Sequence, residues 1–188
     1  MATSEVAIVN NALGMLGDKP IVALDESSDR ASLASRLYAT IRDSVLRAYP
    51  WNFAIRRVAL AQSADVPSWE YKYQYALPSN PYCLKVLETN IDDTDAWRIE
   101  GRFLLTDAKA VKIRYIAKIE DPVQFDDLFT EAFTAKLALE MAYALTSNKS
   151  LTDSLYQLYK EKLKEARATD ASENSSRTTQ TSTLTDVR

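Results

Sequence analysis

Residues 29–54 read DRASLASRLYATIRDSVLRAYPWNFA, which is a long amphipathic pattern followed by an abrupt stop. Ser28 or Asp29 can cap a helix here, because short polar side chains accept hydrogen bonds from the first free backbone N–H groups. Pro50 ends the helix, since the residue before a proline is driven out of helical conformation. The segment predicts a helix over residues 29–49 with a core-facing stripe of four residues: Leu33, Leu37, Ile41 and Val45.

Helices are also predicted near both ends of the chain. The first covers residues 4–17, with Thr3 or Ser4 as its cap and Gly17 at its end. The last covers residues 149–169, where leucines recur at helical spacing. Apolar stripes so far apart in sequence need each other for burial, so these helices are predicted to pack together.

A third long helix is predicted over residues 121–147. Asp121 and Pro122 are a typical cap and first helical residue. Large apolar side chains then recur every four residues: Phe125, Phe129, Phe133, Leu137 and Met141. Together the four segments predict an antiparallel helical bundle of about four helices.

The middle of the chain, residues 69–117, is predicted to be an inserted β-sheet lobe. Residues 69–76 alternate aromatic and other side chains, which is the period of a strand with one buried face. The other predicted strands are residues 82–89, the two arms of a hairpin turning near Gly101 within 97–105, and 111–118. Consecutive strands joined by short turns should pair antiparallel. The fold class is therefore α+β, and residues 1–170 form one domain.

The composition changes after residue 170. Residues 171–183 contain no large apolar side chain, so they cannot bury enough surface to offset the entropy of ordering. We therefore predict an extended tail over 171–188 that is ordered only by a partner. The residues predicted to contact that partner are Arg177, Thr179, Thr181, Thr183, Leu184 and Val187.

The composition argues against most catalytic chemistry. The 188 residues include no histidine, which removes the commonest general base and metal ligand. Cys83 is the single cysteine and falls in a predicted strand, where a buried thiol is expected. Three glycines cannot make a phosphate-binding loop, and no apolar run approaches membrane-spanning length. The sequence predicts a soluble non-enzyme of a reducing compartment, without catalytic residues, bound metal, cofactor, signal peptide or membrane partner.

Charge is unevenly distributed along the chain. Residues 30–62 contain six arginines against one aspartate, whereas residues 88–131 contain eleven carboxylates against six basic side chains. This asymmetry fits nucleic-acid contact, docking between copies of the chain, or ordinary solvated charge. The candidates for a subunit interface or a channel wall are Arg36, Arg47, Arg56, Arg57, Asp92, Asp93 and Asp95.

Residues 41–54, IRDSVLRAYPWNFA, are the most distinctive stretch of the chain. They resemble the head-to-tail adaptor family of tailed phages, the tail tubular protein A type of short-tailed, T7-like viruses. The surroundings agree in order, including residues 11–13 (NAL), 75–78 (YALP) and 135–142 (AKLALEMA). The motif residues that carry the resemblance are Arg42, Asp43, Pro50, Trp51 and Phe53.

The resemblance implies a structural virion protein. Family members form a ring, typically of about twelve copies, that lies beneath the portal at the capsid vertex. The ring continues the DNA channel and connects the capsid to downstream tail or nozzle proteins. The resemblance implies three partners: the portal, the nozzle protein and the genomic DNA. It also implies that the protein is made in the host cytoplasm. The alternative function is a nucleic-acid-binding protein that uses the arginine-rich helix.

Overall fold

The described part of the chain, residues 4–92 and 94–173 of a computed structural model, contains four α-helices and six β-strands. The α+β class predicted from the sequence is confirmed. The helices are α1 (Glu5–Met15), α2 (Asp29–Ala48), α3 (Asp127–Thr146) and α4 (Lys149–Glu173). The strands are β1 (Ile55–Ala59), β2 (Tyr73–Ala76), β3 (Cys83–Thr89), β4 (Trp97–Glu100), β5 (Phe103–Thr106) and β6 (Lys112–Ala117).

Helix α3 is the centre of the helical part and contacts α1, α2 and α4. Its stripe is fully buried from Phe129 through Phe133 and Leu137 to Met141. A two-residue turn at Ser147 and Asn148 then reverses the chain into α4. The predicted mutual burial of helices from both ends of the chain is confirmed.

The predicted start of the third helix is wrong. Asp121 caps only a short 3-10 turn over Pro122–Gln124, and Phe125 is extended and buried. Helix α3 begins after Asp126, whose Oδ1 accepts hydrogen bonds from the N–H groups of Leu128 and Phe129 at 2.9 and 3.0 Å. Asp121 and Asp126 can both act as a helix cap, and Asp126 is the one that accepts the free backbone N–H groups in the first turn of α3.

The predicted end of the fourth helix is also wrong. Helix α4 continues past residue 169 to Glu173, so residues 171–173 are helical and not part of an extended tail. Asp170 is buried against the chain after α2, and that contact stabilises the last turns. Residues 174–188 and Asp93 lie outside the described residues. The same therefore holds for the predicted partner contacts of the tail, which are those of Arg177, Thr179, Thr181, Thr183, Leu184 and Val187.

The lobe is built from two antiparallel three-stranded sheets, with strand orders β1-β6-β3 and β2-β5-β4. Among the strands of the described residues, only β4 and β5 pair as consecutive strands, around Gly101 with its φ of 56°. The predicted pairing of the other consecutive strands is wrong. Strand β1 lies outside the predicted lobe of 69–117. Residues 61–63, which follow it closely in the chain, form backbone hydrogen bonds with β2.

The predicted strand over residues 69–76 is shorter than expected. It is reduced to β2, because Glu70 has a φ of 75° that breaks the alternation. Tyr75 faces the core, while Trp69 is 76% exposed. Helices and sheets nevertheless share one continuous core, which includes Leu13, Ile113 and Phe133.

Candidate functional site

The distinctive segment 41–54 lies at the junction between the helices and the sheets. Trp51 is 0% exposed, and its ring packs edge-on against Phe129 at 5.2 Å and Tyr49 at 4.8 Å between centroids. Its indole N–H donates to the Val45 carbonyl at 3.0 Å. That carbonyl lies in the last turn of α2, where helix carbonyls lack intrahelical partners. Trp51 therefore caps α2 and fixes it against α3.

Asn52 binds the end of α4. Its backbone N–H donates to Oδ1 of Asp170 at 2.9 Å, and its side-chain amide donates to the Asp170 carbonyl at 2.7 Å. The Tyr49 hydroxyl donates to the Arg167 carbonyl at 3.3 Å, with the Arg167 guanidinium 5.5 Å from the Tyr49 ring centroid. These contacts bring together residues that are 118 positions apart in the sequence. Sequence reasoning missed them, because a lone aspartate near a helix end carries no signal.

The carboxylate of Asp170 is an unusual buried charge. Asp170 is 6% exposed, and its Oδ2 atom has no hydrogen-bond partner among the described residues. Burial raises the pKa of Asp170 above its ordinary value, partly offset by the Asn52 N–H, while nearby Asp126 and Glu173 raise it further. Burial therefore favours the protonated carboxyl group in the folded chain, whereas the hydrogen bond from the Asn52 N–H favours the carboxylate.

Phe53 connects the segment to the aromatic core. Its ring lies 5.0 Å from Phe129 and 6.1 Å from Phe125, both at tilted or edge-on angles. The cluster continues through Phe133 to Tyr38 on α2, whose rings are 5.1 Å apart. Edge-on aromatic pairs at these separations are favourable beyond simple area burial. Trp51 and Phe53 thus both pack into the aromatic cluster around Phe129.

Arg42 and Asp43 tie α2 to the end of β6. The Arg42 side chain is 4% exposed, and its Nε atom lies 2.9 Å from Oδ1 of Asp43. Lys118, just after β6, lies 2.7 Å from Oε1 of Glu120 and 3.7 Å from Oδ2 of Asp43. The hydrogen bond between Lys118 and Glu120 raises the pKa of the lysine and lowers that of the glutamate. Arg42 is thus the buried member of a four-residue ionic network with Asp43, Lys118 and Glu120.

The four candidate interface arginines are in different environments. Arg36 is exposed on α2 and donates only to the Ser32 carbonyl at 3.3 Å. Arg47 donates to the Leu84 carbonyl of β3 at 2.8 Å, and Arg56 donates to the Phe53 and Ile55 carbonyls. Arg57 is exposed on β1. Within residues 4–92 and 94–173, none of the four forms an ion pair, so their charge remains available to a partner.

The acidic candidates Asp92 and Asp95 are exposed on the loop between β3 and β4. The Asp95 N–H donates to the Asp92 carbonyl at 2.9 Å, which closes a turn. This loop is anchored at Asn90, whose Oδ1 accepts from the Lys112 N–H at 2.5 Å. The predicted acidic surface therefore belongs to one exposed turn beside β6.

The described residues contain little that points to catalysis. They hold no group of three or more His, Cys, Asp or Glu side chains that could bind a metal. Cys83 is buried in β3 as predicted, and burial raises the pKa of its thiol, which disfavours the reactive thiolate. Among the described helices, none is both long enough and apolar enough to cross a bilayer.

Arg102 joins the two sheets, a role that sequence reasoning missed. Its guanidinium donates to the carbonyls of Cys83 at 2.9 Å and Pro78 at 2.5 Å, and lies 3.8 Å from the ring centroid of Tyr82. An arginine beside a hairpin glycine carries no sequence signal of such a contact. Through Arg102, the β4–β5 hairpin is fixed to β3.

No protein-family model matches the chain. No curated protein matches it either.

Proposed function

We propose that this chain is a structural virion protein, a head-to-tail adaptor that forms a ring beneath the portal. The ring extends the DNA channel and connects the capsid to the downstream tail or nozzle proteins. The proposal assigns the protein no catalytic activity and places it at the junction of capsid and tail. It rests first on the resemblance of residues 41–54 to that family.

The observation that carries the proposal is the structural use of that same segment. Arg42 and Asp43 pair with Glu120 and Lys118, just after β6. Trp51 binds α2 to α3, and Asn52 binds the end of α4. A segment with such contacts holds the helices and the β lobe in a fixed relation. A ring subunit needs this rigidity, because a small change of angle in each subunit prevents closure.

The distribution of free charge is a second support. Arg36 and Arg57 are exposed, as are Asp92 and Asp95 on the β3–β4 turn. Charges that find no partner within the described chain are available for contacts with neighbouring subunits, with the portal, or with DNA.

The decisive experiment mixes the purified chain with its portal and images the product by negative-stain electron microscopy. We expect an added ring of about twelve copies on the portal, with the matching mass by native mass spectrometry. A portal that stays bare at micromolar concentrations of the chain would contradict the proposal.

The alternative function is nucleic-acid binding through the arginine-rich helix. Arg36 and Arg47 both project from α2 without an ion pair among the described residues, which favours this candidate. Direct phosphate contact would make duplex affinity fall steeply with salt. Tight, salt-dependent DNA binding by a chain that never associates with a portal would favour the alternative.

A further inference from the structure

The most exposed tryptophan of the described chain, Trp69, begins a strained turn. The Tyr71 N–H donates to the Trp69 carbonyl at 2.9 Å, which closes a three-residue turn around Glu70. Glu70 has a φ of 75°, a region that a side-chain-bearing residue adopts at a cost. Such strain persists only where the surroundings impose it. Trp69, at the start of this turn, is 76% exposed.

Trp69 borders a cavity of about 380 Å³ with an aromatic wall and an acidic rim. We call it the Trp69 pocket; its lining includes the aromatic rings of Trp69, Tyr71 and Phe103 and the carboxylates of Glu70 and Glu100. Arg98 reaches Glu70 only at 3.9 Å, and Glu100 has no ion pair among the described residues. An aromatic face beside carboxylates binds a guanidinium or ammonium group, and it repels phosphate.

A complementary surface lies on the other sheet of the same chain. Strands β1 and β6 pair with Arg57 opposite Arg114 and Ala59 opposite Lys112, so the three basic side chains project from one face. They line a groove of about 400 Å³, here called the Arg57 groove, which includes Val58. Arg114 pairs with Glu88, whereas Arg57 and Lys112 form no ion pair within the described residues.

We propose that the Trp69 pocket of one copy docks on the Arg57 groove of a second copy of this chain. Trp69 then packs on the Arg57 guanidinium, while Glu70 and Glu100 face Lys112 and Arg114. Tryptophan is the aromatic side chain that attracts a cation most strongly, and the planar guanidinium of arginine stacks on aromatic faces. Tryptophan and arginine are also the residue types that dominate interface energetics.

This pairing is heterologous, because the pocket and the groove are different surfaces with no residue in common. Each docked copy leaves one pocket and one groove free at the two ends of the assembly. Repetition therefore produces a closed ring or an open filament. The inference deepens the proposed ring and rests on the proposed function for its closure.

The experiment uses two full-length variants, each lacking one of the surfaces. The pocket variant carries Trp69→Ala and Glu100→Lys, and the groove variant carries Arg57→Glu and Lys112→Glu. Analytical ultracentrifugation should show multimers for the wild-type chain and monomers for each variant alone. An equimolar mixture should form one-to-one heterodimers that do not grow, because each variant contributes its single intact surface.

Two controls separate docking from folding. Both variants should keep the circular dichroism spectrum and melting temperature of the wild-type chain, since the changed side chains are exposed. Trp97→Ala removes another exposed tryptophan, outside both surfaces, and should leave assembly unchanged.

Several outcomes would overturn the inference. They are a wild-type chain that is monomeric up to about 100 µM, variants that assemble like the wild type, or a mixture without heterodimers. A groove variant that loses DNA affinity while assembling normally would identify the groove as a phosphate-binding surface. If each variant still forms rings on the portal, the inference is refuted and the proposed function stands. If the mixed variants form heterodimers but the wild-type chain never binds the portal, the inference stands and the proposed function is refuted.

Discussion

Replacing Trp51 with alanine tests whether the distinctive segment is a structural junction. Trp51 is completely buried and donates a hydrogen bond to the Val45 carbonyl. Loss of a buried tryptophan side chain costs about 3–5 kcal/mol, since apolar contacts disappear and a cavity remains. For a domain of this size, that loss lowers the melting temperature by ~6–20 °C. Urea unfolding followed by circular dichroism measures the change. If the slope of the unfolding free energy against urea concentration is the same in both proteins, the difference in midpoint reports a difference in stability.

The chain provides a matched control in Trp69, which is 76% exposed. Trp69→Ala makes the same chemical change on the surface, where substitutions typically alter stability by less than about 0.5 kcal/mol. Trp51→Phe keeps most of the apolar contact but leaves the Val45 carbonyl without its donor, at a cost of about 1–3 kcal/mol. An unchanged unfolding midpoint for Trp51→Ala, together with lost assembly, would refute the core assignment.

Four further changes test the remaining contacts. Burial raises the pKa of Asp170 above its ordinary 3.8, so the folded state holds that proton more tightly and stability falls as pH rises from about 4 through the raised pKa. Asp170→Asn should abolish that fall in pH-dependent urea titrations; an identical pH profile would contradict it. Arg42→Met should cost about 1–3 kcal/mol in thermal unfolding, because Asp43 loses a buried partner but keeps solvent and Lys118. Arg36→Glu combined with Arg47→Glu should weaken ring formation on the portal. Arg36→Glu alone is the control, because it keeps the Arg47 hydrogen bond to β3. A double variant that still forms rings but loses DNA affinity would favour the alternative function. Deleting residues 174–188 should leave the melting temperature unchanged while portal attachment fails, and retained docking would refute the role of this segment.

The sequence predicted the helices well, because each carries its own periodic signal. The stripe from Phe129 to Met141 and the caps at Ser4 and Ser28 are local patterns, and all of them recur in the structure. The start of α3 was wrong, since Asp121 and Asp126 both have the chemistry of a cap. Local chemistry alone does not choose between two adjacent caps.

The sheets were predicted less well, because strand pairing is a long-range property. Strand β1 was missed, and its partner β6 lies more than fifty residues away in the sequence. The alternation from Trp69 to Tyr75 suggested one continuous strand, yet Glu70 forms a turn, β2 begins only at Tyr73, and Trp69 is exposed. Periodicity predicts which residues can share a face, but not where the face is interrupted.

By itself the sequence determined the α+β class, the four helices and the burial of Cys83. These properties follow from local spacing and from residue chemistry, which act over a few positions. Only the tertiary structure decided that Asn52 binds Asp170, that Arg102 joins the two sheets, and which surfaces carry free charge. Such contacts join residues distant in the chain, and their free energy exists only once the core has brought the backbone segments together.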